Sequence, residues 1–371
     1  MNYFNKLFKN VSKPLLFLPI VFAIISITMM FSTSYDNGIV FSRTVLVQTI
    51  AYVLGFIAVF VIIHMDYSNL ALWSKYLYIF SILFLLTPWI PGLGYEQFGA
   101  RSWINLGITT FQPSEIVKIT FVILTANYFS VHDHELINLK GFFKSVAYAA
   151  PIILIVLKED FGSAAVFVGM WISMVLFAGV KRKMFAKICG VGALCMPIAY
   201  KFLDPYQQQR ITAFLYPENL TINANYQVWH SKVAIGSGGF FGKGLFQGTQ
   251  KDLDFLPVMN SDFIFAVICE ELGFIGGAGL IALFSWFIFS TTKVAFDSKD
   301  KLGGLIVMGF TGMFLFQILE NIAMTMGFMP VTGITLPFIS YGGSSVISNM
   351  IAVGFIINVA INTRGVAFIK Q

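Results

Sequence analysis

Residues 14–31 read PLLFLPIVFAIISITMMF, eighteen residues without a charge, preceded by Lys6, Lys9 and Lys13. A helix rises about 1.5 Å per residue, so a run of this kind can cross a hydrocarbon core of roughly 30 Å. A basic flank before an apolar run also resembles a secretory leader. This stretch is longer than a leader's apolar region, however, and no small-x-small cleavage site follows it. It reads as a membrane span.

The same pattern recurs outward from it, near 45–65, 72–90, 115–131, 142–157, 162–180, 184–203, 262–290, 303–327 and 344–363. The 371-residue chain is 57% hydrophobic and 11% charged, where soluble domains carry roughly 25% charged residues. Such a surplus of apolar side chains has to face lipid. The expected fold class is therefore all-α: a polytopic helical membrane protein of about ten transmembrane helices, with residues 1–371 as a single membrane domain. Cys189, Cys195 and Cys269 fall inside expected spans, which suggests neither a disulfide framework nor a metal site.

Orientation follows from the distribution of Lys and Arg on short loops. With the N-terminus in the cytoplasm, the inner segments hold Lys6, Lys9, Lys13, Lys75, Lys140, Lys144, Lys181, Arg182, Lys183, Lys187, Lys293, Lys299, Lys301, Arg364 and Lys370. The short outer loops hold Arg43, Arg101 and Lys158. Both termini are then cytoplasmic, and the net charge of +6 reflects this bias. No basic tract points to nucleic acid.

One connection stands out, residues 204–261, a long outer loop between the seventh and eighth spans. Its aromatic residues, among them Tyr206, Tyr216, Tyr226, Trp229, Phe240, Phe241 and Phe255, point to an ordered segment lying at the interface or dipping into the protein. Tyr226–Ile235 reads as a short helix with Gln227 and Ser231 on one face. The glycine-rich stretch Gly236–Gly248 ends it.

Ionisable groups in a membrane are expensive and mark candidate sites. Four places qualify, all on the outer half. The first is Gly99-Ala100-Arg101-Ser102-Trp103-Ile104-Asn105 with Gln112-Pro113-Ser114-Glu115 and Lys118. There Ser114 reads as a helix N-cap, and Glu115 and Lys118 share a helix face. They form either a structural ion pair or part of a cationic pocket in which Arg101 and Lys118 hold phosphates. The second is the turn Lys158-Glu159-Asp160-Phe161-Gly162, whose charges could simply be solvated. The third is Asn260-Ser261-Asp262-Phe263, with Glu270 and Glu271 further along. Favourable interaction with the helix dipole alone could account for Asp262. It does not account for two adjacent carboxylates at depth, which need partners such as Lys118 or backbone donors. The fourth is Glu320-Asn321, followed by the Pro- and Gly-rich run Met329–Ser345. That run is either a plain turn or broken helix lining a polar cavity.

An outer pocket with cations, a carboxylate and aromatic walls suits a lipid-linked anionic substrate. A general base needs a carboxylate within hydrogen-bond reach of a hydroxyl. A pyrophosphate leaving group needs Arg, Lys or a divalent cation, such as Mg or Mn, to take up developing charge. The residues alone lead no further.

The blocks Gly99–Asn105, Gln112–Lys118, Tyr226–Gly244, Asp262–Gly273 and Met329–Ser345 resemble the signature blocks of the SEDS family (shape, elongation, division and sporulation), in the family's order and through most of the chain. Gly248-Thr249-Gln250 with Asp254-Phe255-Leu256-Pro257, and Pro330-Val331-Thr332-Gly333-Ile334, resemble its RodA or elongation branch; the division branch, FtsW, typically carries Lys where Thr332 stands. The resemblance implies a peptidoglycan glycosyltransferase that polymerises lipid II on the outer face of the bacterial cytoplasmic membrane. It implies no certain cofactor. As partners it implies a single-span class B penicillin-binding protein, other membrane proteins of the elongation complex and membrane lipid. Asp262 matches the family's essential acid and is the implied general base. Arg101, Trp103, Glu115 and Lys118 would position donor phosphates or brace the cavity. Asp160, Gln227, Ser231, Gly236, Glu271 and Ser344 are further candidates. Three positions depart from the family pattern: Val258 stands where many members have an acid, Ser261 where many have Thr, and His230 where Gln is common. Two rival readings remain, a lipid II flippase and a non-catalytic scaffold for a transpeptidase. A flippase needs intramembrane charge across the full depth, and the inner half offers little.

Overall fold

Among the described residues, seven helices are long and apolar enough to cross a membrane: Lys13–Thr33, Arg43–Ile63, Pro113–Val131, Leu139–Lys158, Ile264–Asp297, Lys301–Thr325 and Gly343–Asn362. Phe161–Phe177 is a shorter apolar helix. The computed structural model describes residues 11–34, 42–97, 100–105, 110–132, 134, 138–181, 183–187, 190, 200–201, 203–252, 255–256 and 258–365. The span expected near 184–203 lies mostly outside the described residues. That expected near 72–90 is divided: Tyr67–Leu72 ends at Trp73, Ser74–Leu85 follows, and Pro88 sits in a 3-10 turn over Thr87–Trp89.

The chain is an integral membrane protein of helical class. Its helices differ in how much they share with neighbours. Only 28% of the apolar stretch of Arg43–Ile63 is buried, against 83% for Gly343–Asn362. The first offers most of its surface to lipid, and the second is enclosed by protein.

Two compact units form, each from three stretches of chain: Met1–Ile62, Gln209–Ser290 and Phe314–Gly354 in one, and Ile63–Gln208, Thr291–Met313 and Phe355–Gln371 in the other. In the first, Phe22 stacks on Phe284 and on Phe338, while Phe338 stacks on Phe314 and meets Phe287 edge-on. This aromatic core anchors the irregular segment that contains Phe338. In the second, a Cβ on Gly309 would lie 2.8 Å from both Met174 and Val122 side chains. Small residues of this kind let membrane helices approach closely where no hydrophobic force drives them together.

The Gly99–Asn105 block, read above as loop, contains a strand. A small antiparallel sheet runs β1 (Gly94–Gln97), β2 (Ala100–Asn105) and β3 (Thr110–Phe111), in that order. Trp103 lies opposite Tyr95, and Ile104 opposite Gly94 and Phe111. Ser102 and Ile104 are buried while Asn105 is exposed. This is the period-two alternation of a strand with one covered face.

Candidate active site

Asp262 sits in the turn that leads into the helix Ile264–Asp297, half-buried. The turn is tight: the backbone N–H groups of Ser261 and Asp262 both donate to the Val258 carbonyl, each at 3.2 Å. Val258 holds φ +58° to make it. A β-branched side chain rarely adopts that left-handed conformation, so the backbone beside Asp262 is strained. Ser261 Oγ donates to Asp262 Oδ1 at 3.0 Å. The Asp262 carbonyl accepts from Asn321 Nδ2 at 2.9 Å, and the same Nδ2 donates to the Ile334 carbonyl at 2.7 Å.

Asn321 thus ties the Asp262 turn to the Pro- and Gly-rich run, which is irregular backbone inside a membrane protein. Such backbone persists only where protein satisfies its polar groups. Here Gln48 and Ser26 do so. Gln48 Nε2 donates to Ser26 Oγ at 2.8 Å and to the Ser340 carbonyl at 3.0 Å, and its Oε1 accepts from Gly342 N–H at 3.2 Å. Ser26 Oγ donates to the Ile339 carbonyl at 2.9 Å, and the Tyr52 hydroxyl donates to that of Phe338. Ser340 Oγ donates to the Ser261 carbonyl, and Tyr341 N–H to that of Asn260 at 2.8 Å. Burial raises the Tyr341 phenol above its ordinary value, with Arg43 drawing it partly back. The run is a scaffold built around Asp262, beyond a plain turn between spans.

Gly333 lies within it at φ +76°. A Cβ there would be 3.5 Å from Asp262 Oδ2, 3.6 Å from Arg210 Nη1 and 3.7 Å from Arg210 Nη2. The carboxylate and the guanidinium therefore flank one glycine. Arg210 is half-buried on the helix Pro205–Leu215 and was not among the residues singled out from the sequence.

The other expected residues take identifiable places. Glu115 and Lys118 are both buried and paired at 2.8 Å. Ser114 is not the cap of their helix: Gln112 holds the N-cap position and Pro113 the first turn, where a missing N–H costs nothing. Asp160 caps Phe161–Phe177, accepting from Gly162 N–H at 3.0 Å and Ser163 Oγ at 2.6 Å. Arg101 and Trp103 belong to β2, with Trp103 half-buried. Gln227 and Ser231 lie on a helix longer than expected, Asn223–Ser237, where Ser231 is buried and donates to the Thr325 carbonyl at 2.8 Å. Gly236 is near the end of that helix, and a Cβ on it would meet nothing within 4 Å. Ser344 is half-buried in the first turn of Gly343–Gly365.

Glu270 and Glu271 are fully buried; Lys118 is paired with Glu115, while the expected backbone donor is found for Glu270 at Gln250. Glu270 Oε1 accepts from Lys243 Nζ at 2.7 Å, Gln250 N–H at 3.0 Å and Thr249 Oγ1 at 3.1 Å. Glu271 Oε1 accepts from Ser32 Oγ. The helix is interrupted just beyond them, at Gly273 with φ 67° and ψ −164°. Its freed backbone groups are met by the glycine-rich stretch. Lys243 and Gly244 N–H donate to the Glu270 and Glu271 carbonyls, both at 3.0 Å, while Phe274 and Ile275 N–H donate to the Gly239 and Phe240 carbonyls at 2.9 and 3.3 Å.

Asp262, Arg210, Asn321, Gly333, Gln227, Ser231, Glu271 and Ser344 fall in the first unit. Arg101, Trp103, Glu115, Lys118 and Asp160 fall in the second. Among the described residues, no group of three or more His, Cys, Asp or Glu could hold a metal.

Comparison with known proteins places this arrangement in a family context. The FtsW/RodA/SpoVE profile, described as cell cycle protein, matches residues 6–365. Stage V sporulation protein E of Bacillus subtilis (strain 168) is 34% identical over 359 residues, covering 94% of this chain and 97% of the relative. Peptidoglycan glycosyltransferase MrdB of Escherichia coli (strain K12) is 34% identical over 289 residues, covering 77% of each. Among solved structures, a chain of a peptidoglycan synthase complex aligns with a TM-score of 0.80 at 25% identity, covering 96% of this chain and 99% of its own. The rod shape determining protein RodA of Thermus thermophilus aligns with a TM-score of 0.67 at 25% identity, covering 95% and 98%.

Proposed function

The chain belongs to the FtsW/RodA/SpoVE family, and on that basis we propose that it is a peptidoglycan glycosyltransferase polymerising lipid II during cell elongation. Residues 1–371 act as one membrane domain of the cytoplasmic membrane, with both termini cytoplasmic and the site facing outward. Relatives that carry the glycosyltransferase name, together with the likeness to a peptidoglycan synthase complex, support the activity.

The observation that carries the mechanism is the setting of Asp262. Its carboxylate is half-buried, oriented by Ser261, and held on a turn whose backbone is fixed by Asn321 and Ser340. A general base works when it is held within hydrogen-bond reach of the proton it takes. In the proposed reaction Asp262 accepts the proton of the acceptor sugar's 4-hydroxyl. The oxygen attacks C1 of the donor MurNAc with inversion, and the C1–O bond to phosphate breaks with its electron pair leaving on undecaprenyl pyrophosphate. Arg101 and Lys118 are the phosphate-holding candidates from the sequence, and a divalent cation is an alternative means to the same end. The partner is a class B penicillin-binding protein, in line with the crosslinking function of the complex to which the chain is similar.

The test is direct: purified protein is incubated with lipid II and the products are separated by gel. Glycan strands with stoichiometric undecaprenyl pyrophosphate are expected. Movement of labelled lipid II across vesicle membranes without any polymer would instead favour the flippase. Absence of both, with a transpeptidase still bound, would favour the scaffold.

A further inference from the structure

We propose that Arg210 is the cation that receives the leaving phosphate in this reaction, an inference that rests on Asp262 being the base. Two observations point to it. Asp262 Oδ2 and both terminal nitrogens of Arg210 lie between 3.5 and 3.7 Å from the single point where a Gly333 side chain would begin. The near-equal distances of Nη1 and Nη2 mean that the guanidinium turns its two-nitrogen edge toward that point, the edge that takes a phosphate through paired hydrogen bonds.

The chemistry fits this spacing. The attacking oxygen has to sit about 3 Å from both its base and the donor carbon. The departing phosphate lies beyond that carbon, one or two bonds further from the base. A neutral hydroxyl beside the carboxylate and an anionic leaving group beside the guanidinium fill the two halves of such a site with matching charge. A side chain at Gly333 would begin in van der Waals contact with both groups and would also strain the φ of +76°. Of the two cations expected from the sequence, Arg101 and Lys118, the second is buried and paired with Glu115 at 2.8 Å. Arg210 is half-buried and belongs to the same unit as Asp262. Asp262 also accepts a hydrogen bond from Ser261 Oγ at 3.0 Å.

Arg210→Gln, Arg210→Lys and Asp262→Asn are compared with wild type for initial rates of lipid II polymerisation and for inhibition by added undecaprenyl pyrophosphate. Loss of one transition-state charge partner lowers kcat in Arg210→Gln by about a hundredfold, with inhibition by the product weakened at least tenfold. Arg210→Lys keeps the charge without the fork and retains roughly a tenth of wild-type kcat. Rates and inhibition in Arg210→Gln within about threefold of wild type overturn the proposal. So does an Arg210→Lys variant no better than Arg210→Gln. If Arg210→Gln does not elute as a monodisperse protein, Arg210→Lys decides alone: lower kcat and weaker product inhibition support the assignment, and unchanged values of both overturn it. An active Asp262→Asn enzyme would defeat the base reading itself, whereas an inactive one beside a fully active Arg210→Gln defeats only this inference.

Discussion

Lys243 and Glu270 are joined twice, by Nζ to Oε1 at 2.7 Å and by the Lys243 N–H to the Glu270 carbonyl at 3.0 Å. One bond neutralises a buried carboxylate. The other replaces a helical hydrogen bond lost where the helix breaks at Gly273. The helix so repaired is the one whose leading turn carries Asp262. The glycine-rich stretch is therefore part of the site's support.

Removing Lys243 should show this. Glu270 is fully buried while the Lys243 side chain is about a quarter exposed, so the lysine can be changed without opening a large cavity. Lys243→Met leaves the carboxylate uncompensated and should destabilise the protein by about 3 kcal/mol. Adding Glu270→Gln to it should recover part of that loss. Thermal melting of the purified variants in detergent measures both.

The close approach at the break predicts opposite signs for two glycine substitutions. A Cβ on Gly242 would lie 2.1 Å from the Glu271 carbonyl oxygen, which is backbone and has no room to move, and Gly242 also holds φ +81°. Gly242→Ala should cost at least about 2 kcal/mol and lower the melting temperature. On the long helix Ile264–Asp297, a Cβ on Gly279 would meet nothing within 4 Å. Gly279→Ala should be neutral or stabilising by up to about 1 kcal/mol, because alanine is the better helix former.

Asp160 offers a test of role. Its two hydrogen bonds are those of an N-cap, and asparagine caps about as well as aspartate. Asp160→Asn should leave stability and polymerisation close to wild type, while Asp160→Ala should lose about 1 kcal/mol. A stable Asp160→Asn enzyme with no polymerisation would show that the charge itself serves the reaction.

The helices were legible because a membrane imposes a length and an absence of charge on each span, and runs such as 14–31 display both. The same logic marked Asp262, Glu270, Glu271 and Asn321, whose cost in an apolar setting demands a purpose. It would equally have marked Gln48, a lone amide in the apolar run 45–65, which pins Ser340 and Gly342. Arg210 and Lys243 left no such mark. They lie in a polar loop where charges are ordinary, and the residues they lie beside, Gly333 and Glu270, are 123 and 27 residues away in sequence. Lys118 and backbone donors are the partners expected for the buried glutamates; Glu115, three residues away, holds Lys118, and Gln250 N–H is the backbone donor to Glu270. The small sheet at Gly94–Phe111 escaped because its strands are too short to show alternation against a background of glycine and proline. The seventh span near 184–203 lies mostly outside the described residues, so its expectation stands on sequence alone.

The central claim is that the Asp262 carboxylate takes the hydroxyl proton. Asp262→Asn keeps the size of the side chain and an oxygen for Ser261 to bond, and removes the base. The decisive measurement is the initial rate of lipid II polymerisation by this variant, purified to the same monodispersity and melting temperature as wild type. The account predicts loss of about a hundredfold or more, since a positioned base contributes on that order. A variant that forms glycan strands at the wild-type rate would contradict it.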